Sequence, residues 1–226
     1  MHPLDLPVWA TLTTHHASSS EGNVLARRFL PDVNLFASAR DDSPEAIAAL
    51  ATLVRPGEIV YLLQVPDIVI PPGFVTIKEG KGVQMVVTRR GLFEAAREDI
   101  LTLGNEDAPE MIRLAELTEP GPFVERTHTM GTFRGIRIGG QLAAMAGERM
   151  RFPGYTEVSG VCTHPEFRSR GLANRLSAAV AAAIAARGDQ AFLHAWKSNQ
   201  SAITLYERLG FEVRAEVNGV VLKRAR

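Results

Sequence analysis

The residues best suited to chemistry are Arg168-Ser169-Arg170-Gly171-Leu172-Ala173. They lie between an apolar strand-like run, Val158 to Thr163, and a long alanine-rich helical pattern. A strand that turns through a basic glycine loop into a helix makes an anion site. The first amides of a helix have no internal partner and sit at the positive end of its dipole. A phosphate placed there receives several N–H bonds at once. Gly171 removes the Cβ that would block close approach of the backbone, and Ala173 keeps the next turn small. Arg168 and Arg170 add charge-assisted contacts to phosphate oxygens. The pattern points to a phosphate-bearing cofactor. Taken alone, the same six residues also fit a solvated helix start with two exposed arginines.

The elements that must position this loop are legible on both sides of it. Phe133 to Ile138 and Gln141 to Glu148 read as strands, with Gly139-Gly140 as a hairpin turn between them. Thr156 to Thr163 is the next strand. Gly171 to Ala186 is a helix rich in the best helix former, closed by Gly188. Gln190 to Ala195 is a strand. Ser198 to Leu209 is a helix, with Ser198 as its N-cap, Gly210 as its stop and Phe211 packing back. Phe211 to Val213 and Val220 to Lys223 read as a last hairpin through Asn218-Gly219. Upstream, Ile100 to Leu103 is a short strand, Ala108 to Leu117 is a helix, and Pro120-Gly121-Pro122 breaks the chain.

The first 98 residues have a different character, with eight of the 13 prolines before residue 73. Ser43 is an N-cap, Pro44 takes the first helical position, and Ile47, Leu50 and Val54 form a stripe. Glu58 to Gln64 and Val83 to Thr88 read as strands, and Phe74 to Ile77 as a third. This half is α/β and shows no catalytic constellation. The expected organisation is an N-terminal α/β domain over 1–98 and a second domain over 99–226.

Composition bounds the function. The chain has 226 residues, 46% of them hydrophobic, enough for one large or two small domains. Lys+Arg and Asp+Glu both total 25, so no basic face for nucleic acid is expected. Cys162 is the only cysteine, which excludes an internal disulfide and fits a reducing compartment. The first residues lack a basic stretch followed by an apolar one, so no signal peptide is expected. The alanine-rich run Leu176 to Ala186 falls short of the ~20 residues that span a bilayer. A cytoplasmic protein without membrane contact is expected. His15-His16, His128, His164 and His194 show no metal-ligand spacing, so no metal is expected.

The order strand, basic glycine loop, helix, strand, helix, Gly-Phe resembles the GNAT superfamily of acyl-CoA-dependent N-acyltransferases over residues ~99–226. Arg168 to Ala173 is similar to the family's pyrophosphate signature, Arg/Gln-x-x-Gly-x-Gly/Ala. Cys162-Thr163-His164-Pro165 is similar to the strand end before it. Asn199, Ala202, Leu205-Tyr206 and Gly210-Phe211 are similar to the later signature. The resemblance implies a mixed α/β fold: a twisted sheet in which two parallel strands splay apart, here Thr156–Thr163 and Gln190–Ala195. It implies acetyl-CoA as co-substrate, with its pantetheine arm in the gap. Val161, Cys162 and Thr163 would then hold the acyl and pantetheine portion. Arg168, Ser169, Arg170, Gly171, Leu172, Ala173 and Asn174 would cradle the pyrophosphate. Asn199 would bond the pantetheine, or only the start of its own helix. The N-terminal half is weakly similar to the degenerate amino-terminal halves of two-part members such as glycine N-acyltransferase-like proteins. It is expected to shape the acceptor pocket or to mediate homodimer contacts, and one active site is expected.

The implied reaction is direct attack of an amine on the thioester. An alkylamine with a lysine-like pKa of ~10.4 lies ~3.4 units above pH 7, a deficit of about 4.6 kcal/mol for the nucleophilic form. A proton acceptor is therefore useful. Glu157, eleven residues before Arg168, has the spacing of the catalytic carboxylate in some members and is the first candidate base. Glu148 is the second, and either also reads as an exposed strand-end carboxylate. Tyr206 matches the family's tyrosine and is the candidate acid for the departing thiolate. It also falls on an apolar helical stripe with Ala202, Leu205 and Leu209, where a core tyrosine would sit. Cys162 reads as a small buried hydrophobe rather than a nucleophile. His194 and Trp196 lie by the second splayed strand, as acceptor-site lining or as strand packing.

Two functions of different class fit: acetyl transfer from acetyl-CoA to a primary amine, on a small molecule or a protein, and an acyl-CoA-binding module without turnover. A nucleotide-phosphate domain of another kind lacks its Gly-x-x-x-x-Gly-Lys-Ser/Thr.

Overall fold

Turn and cap chemistry sets most of the element boundaries in the computed structural model, which describes residues 2–88 and 99–226. In chain order the elements are α1 (Pro7–Leu12), β1 (Ser20–Gly22), β2 (Ala26–Phe29), β3 (Ala37–Ala39), α2 (Pro44–Leu53), β4 (Ile59–Gln64) and β5 (Phe74–Val87). After them come β6 (Leu101–Leu103), α3 (Ala108–Thr118), β7 (Phe133–Ile138), β8 (Gln141–Phe152), β9 (Tyr155–Thr163), α4 (Leu172–Ala186), β10 (Gln190–Trp196), α5 (Gln200–Arg208) and β11 (Phe211–Arg224). Ser43 caps α2 by accepting from the Ala46 amide at 3.3 Å. Gly139 and Gly140 turn β7 into β8 with φ of 59° and 84°, a backbone that L side chains rarely adopt.

Eight strands form one mixed sheet in the order β4-β11-β5-β10-β9-β8-β7-β6, and β1-β2-β3 form a separate small sheet. β9 and β10 run parallel; every other neighbouring pair in the large sheet is antiparallel. The sequence places a domain boundary at 98/99, and residue 98 lies outside the described residues. β4 and β5, from before that point, flank β11 in the same sheet as β6 to β10.

Two strand expectations need correction. The segments at 74–77 and 83–88 are one strand, β5, that runs through Gly80 and Gly82. The hairpin expected at Asn218-Gly219 does not form, because β11 continues through it to Arg224. Both edges of β11 are paired there, to β4 and to β5, so the chain has no reason to fold back. Asn218 spends its amide on the Val65 and Pro66 carbonyls, at 3.0 and 2.8 Å.

The sheet carries a layer on each face. Ala191 and Leu193 of β10 point to the α4 and α5 side, where Leu176, Val180, Ala181, Ile184 and Tyr206 are buried. Phe192 points the other way, against Leu4, Val8, Leu12 and Phe29 from the N-terminal segment. This alternation is the two-residue period of a strand buried on both sides. Each fully buried Leu or Ile contributes about 1.5–3 kcal/mol, so Ile184→Ala is expected to cost about 2–5 kcal/mol. No helix among the described residues is long and apolar enough to cross a membrane.

Candidate active site and cofactor cleft

The two parallel strands do splay. β10 pairs with β9 at only three positions, Gln190 with Tyr155, Ala191 with Thr156 and Phe192 with Glu157. Beyond these, β10 stays with β5 through Trp196, while β9 stays with β8 through Thr163. A bulge in β9 accompanies the divergence: Ser159 and Cys162 oppose Gly147 and Met145, which leaves Gly160 and Val161 against one residue of β8. Bulges sharpen twist and end pairing. Gly160 supplies the left-handed backbone, φ 61°, and a Cβ there would sit 2.9 Å from the Phe133 ring. Among the described residues the β9 edge over 158–163 therefore faces the gap without a strand partner, a row of backbone groups for an extended ligand. The Thr163 hydroxyl at its end is buried and has no hydrogen-bond partner among the described residues. Cys162 is buried, and burial pushes its thiol up to about 11 against the opposing pull of Thr118 and the Met145 backbone. It stays protonated and is no nucleophile.

The gap leads into the basic loop. Ser169 and Gly171 both adopt left-handed backbone, φ 61° and 72°, and Gly171 is the N-cap of α4. The first intrahelical bond runs from the Arg175 amide to the Gly171 carbonyl at 3.1 Å. The amides of Gly171, Leu172, Ala173 and Asn174 precede it and have no helical acceptor. A Cβ added at Gly171 would meet nothing within 4 Å among the described residues, so none of them fills the space before these amides. Arg168 and Arg170 are exposed at its rim. Arg168 reaches back to the Thr163 carbonyl at 3.5 Å, and Arg170 lies over the Phe167 ring at 5.3 Å. Arg175 is committed to Asp99.

Glu157 marks the point of divergence, but it is not placed as a free base. Its carboxylate is fully buried. Arg149 donates to both oxygens, at 2.8 and 2.7 Å, and His194 Nδ1 lies 2.7 Å from one of them. Burial alone would raise its pKa, yet the charge of Arg149 and the bonds from His194 and Arg149 bring it down to about 2. A carboxylate that acidic accepts a proton poorly. Glu148, the second candidate, is buried and forked to Arg187 at 2.9 and 3.0 Å. Both candidate bases are thus buried and locked in arginine pairs rather than exposed at strand ends.

Tyr206 sits in the core against Phe211, ring centroids 6.0 Å apart. Burial, with Cys162 adding to it, pushes the phenol up to about 12, so it remains a proton donor at any physiological pH. Asn199, not Ser198, caps α5; its side-chain oxygen accepts from the Ala202 amide at 3.2 Å and the Ser201 hydroxyl at 3.0 Å. Of its two expected roles, the capping one is what this geometry uses. Trp196 packs over Gly80 and Gly219, where added Cβ atoms would approach its ring to 3.1 and 3.3 Å.

Sequence reasoning missed four residues. Arg149 completes the Glu157 pair; Gln84, Arg214 and Asp5 extend the polar contacts beyond His194. One signal was present. The tight turn at Pro153-Gly154 places Phe152 opposite Tyr155 and Arg151 opposite Thr156, which brings residues 149 and 150 near 157. A bulge selects Arg149: Glu148 pairs with Val158 and Arg151 with Thr156, so two residues of β8 face Glu157. Nothing local signals a bulge in a sequence. A small recess lined by Gly121, Phe123, Phe133, Arg149, Ser159 and Gly160 adjoins this corner.

A family model, FR47-like protein, matches residues 133–219. The chain is 42% identical to a protein of Novosphingobium aromaticivorans assigned to the GNAT family of acetyltransferases, covering all of both chains with a TM-score of 0.94. A GCN5-related N-acetyltransferase of Kribbella flavida shares the fold at 19% identity, with 99% and 96% of the two chains covered and a TM-score of 0.66. A GCN5-related N-acetyltransferase-like protein of Streptococcus suis does so at 15% identity, with 97% and 96% covered and a TM-score of 0.60. The curated proteins gave no match.

Proposed function

The chain belongs to the GNAT family of acetyltransferases, and from that premise we propose that it transfers an acetyl group from acetyl-CoA to a primary amine. The observation that carries the reading is the continuity of two features. An unpaired strand edge over 158–163 runs toward a set of acceptorless amides at 171–174, rimmed by Arg168 and Arg170. An extended amide-bearing arm that ends in a pyrophosphate is complementary to both at once. Val161, Cys162 and Thr163 offer backbone to the arm, and the loop holds the phosphates.

In the proposed reaction the neutral amine attacks the thioester carbonyl. An N–C bond forms, the C–S bond breaks, and the ammonium proton is lost. Tyr206 gives its phenolic proton to the departing thiolate and recovers one from solvent. The amine's proton leaves to water, since Glu157 and Glu148 are committed to arginines. Glu157 instead acts as a fixed anion that holds Arg149 and His194 at the foot of the gap. The rate then rises with pH as the acceptor amine loses its proton, and has no acidic limb from Glu157.

The locked carboxylates also favour a second reading, an acyl-CoA-binding module without turnover. Release of free CoA thiol separates the two. Acetyl-CoA is incubated with the protein and a panel of amines: amino acids, polyamines, lysine peptides and aminoglycosides. Amine-dependent thiol release supports the enzyme. Tight acetyl-CoA binding with no release across the panel supports the module and removes the enzyme reading.

A further inference from the structure

A single chain of polar side chains crosses the central strands on the face covered by the N-terminal segment. Arg149 (β8) meets Glu157 (β9); Glu157 meets His194 (β10); His194 meets Gln84 (β5); Gln84 meets Arg214 (β11); and Arg214 meets Asp5. The backbone is shaped to make it. His194 and Gln84 are directly opposed cross-strand partners, so their side chains share a face. Arg214 is the extra residue of a bulge in β11, between Val213, which pairs with Met85, and Ala215, which pairs with Gln84. Arg149 lies in a second bulge. Both guanidinium groups in the chain are thus carried by bulge residues.

The donors and acceptors in this chain can be ordered in only one way. Arg214 can only donate, so the Gln84 oxygen that takes its bond, at 2.9 Å, is fixed as the acceptor. The Gln84 amide nitrogen therefore points the other way, and it donates to the Leu4 carbonyl at 2.8 Å. The same nitrogen lies 3.0 Å from His194 Nε2. Two N–H groups cannot face each other there, so Nε2 must offer its lone pair. The ring proton is then on Nδ1, 2.7 Å from a carboxylate that already takes two bonds from Arg149. Turning the Gln84 amide over would place its oxygen against the Leu4 carbonyl and its N–H groups against Arg214. The groups facing the imidazole are Glu157 and Gln84, with Arg149 and Arg214 one bond further out, Asp5 beyond Arg214, and the Phe192 ring alongside it.

We infer that Gln84 is a positioning residue: it holds His194 as a neutral imidazole with its proton on Nδ1, and so fixes the charge state at the divergence of β9 and β10. The chain before residue 89 thereby sets the protonation of the proposed reaction site, through Gln84, the Leu4 carbonyl and Asp5. The consequence for catalysis rests on the function proposed above; the state of His194 does not.

Long-range proton–nitrogen correlation spectra of the uniformly 15N-labelled full chain read His194 directly. In the folded wild-type protein at pH 7.5, Nε2 is expected to give the resonance of an unprotonated nitrogen and Nδ1 that of a protonated one. A proton on Nε2 at that pH overturns the inference whether or not the protein is an enzyme. The second arm is Gln84→Glu, checked for folding by its amide spectrum. Two carboxylates then flank the ring, and His194 is expected to be doubly protonated at pH 7. With an active amine in hand, kcat is expected to fall about tenfold or more while the Kd for acetyl-CoA stays within twofold. A neutral His194 in a folded Gln84→Glu protein, or a doubly protonated one with unchanged kcat, contradicts the positioning role. Absence of acetyl transfer by the wild type counts against the proposed function and leaves the nitrogen spectra to decide the tautomer.

Discussion

The basic loop before α4 and the polar chain across the sheet are both built to handle charge, by opposite means. The loop is exposed, local in sequence, and works with main-chain amides freed by two left-handed residues, Ser169 and Gly171. The chain is buried, assembled from six strands and segments between Asp5 and Arg214, and works with side chains that saturate one another. One is left open for an incoming anion, and the other is closed around charges already present. An open site answers to ligand and salt, whereas a closed one answers to protons and to the loss of a member.

The largest expected effect is on the closed region. Arg149→Met leaves the fully buried Glu157 carboxylate without its main partner, and the loss is expected to be about 3–5 kcal/mol in urea unfolding. Adding Glu157→Leu should recover most of it, because the buried charge leaves with its counter-ion. A double mutant as unstable as the single would show that the pair is not the source of the cost.

Acid comes next. His16 is buried beside Phe29, and burial, with His15 and Arg151, lowers its pKa to about 4 from the usual 6.5. The folded state keeps this ring neutral while the unfolded state protonates it, so stability is complete above pH 6.5 and is lost as pH falls toward 4. The ceiling is roughly 3 kcal/mol. Glu157, held at about 2, adds a second loss as pH falls from its unfolded value near 4.5 toward 2. Thermal melts from pH 7.5 to 4 should lose their steep upper part in His16→Phe. An unchanged slope in that variant would remove His16 from the account.

The open region shows its effect in affinity. Gly171→Glu is expected to weaken acetyl-CoA binding about 100-fold, roughly 2.7 kcal/mol, and to lower fold stability by about 1 kcal/mol for the left-handed backbone. Gly171→Ala separates backbone shape from charge. It costs about 1 kcal/mol for the left-handed backbone and meets no atom of the described residues within 4 Å, so any further loss of affinity in calorimetry reports crowding against the ligand. Tyr206→Phe is expected to lower kcat about tenfold while the Kd for acetyl-CoA holds; an unchanged kcat would return Tyr206 to the core as packing alone. Smallest is Arg170→Ala, a few-fold loss of acetyl-CoA affinity and a shallower salt dependence. The buried chain should show no such response to salt.

The same contrast explains what was legible in the sequence. The loop could be read because everything that makes it lies within a dozen residues: the strand end, Gly171, the two arginines and the alanine-rich helix. Caps and turns such as Ser43 and Gly139-Gly140 were legible for the same reason. The polar chain could not be read, because Gln84 meets His194 110 residues away and Arg214 meets Asp5 across 209. Bulges at Arg149 and Arg214, which no local pattern marks, decide which side chains enter it. Glu157 was recognised as important by position, but its partners decide its chemistry. β5 and β11 were each read as two pieces because glycines and Asn218 resemble turns, while long-range pairing on both edges of β11 keeps that strand extended.

A crystal structure with CoA bound tests the central claim most directly. The account predicts the pyrophosphate on the amides of residues 171–174 and the pantetheine arm along the β9 edge at 158–163. A CoA bound elsewhere, with that edge and those amides bare, would contradict it.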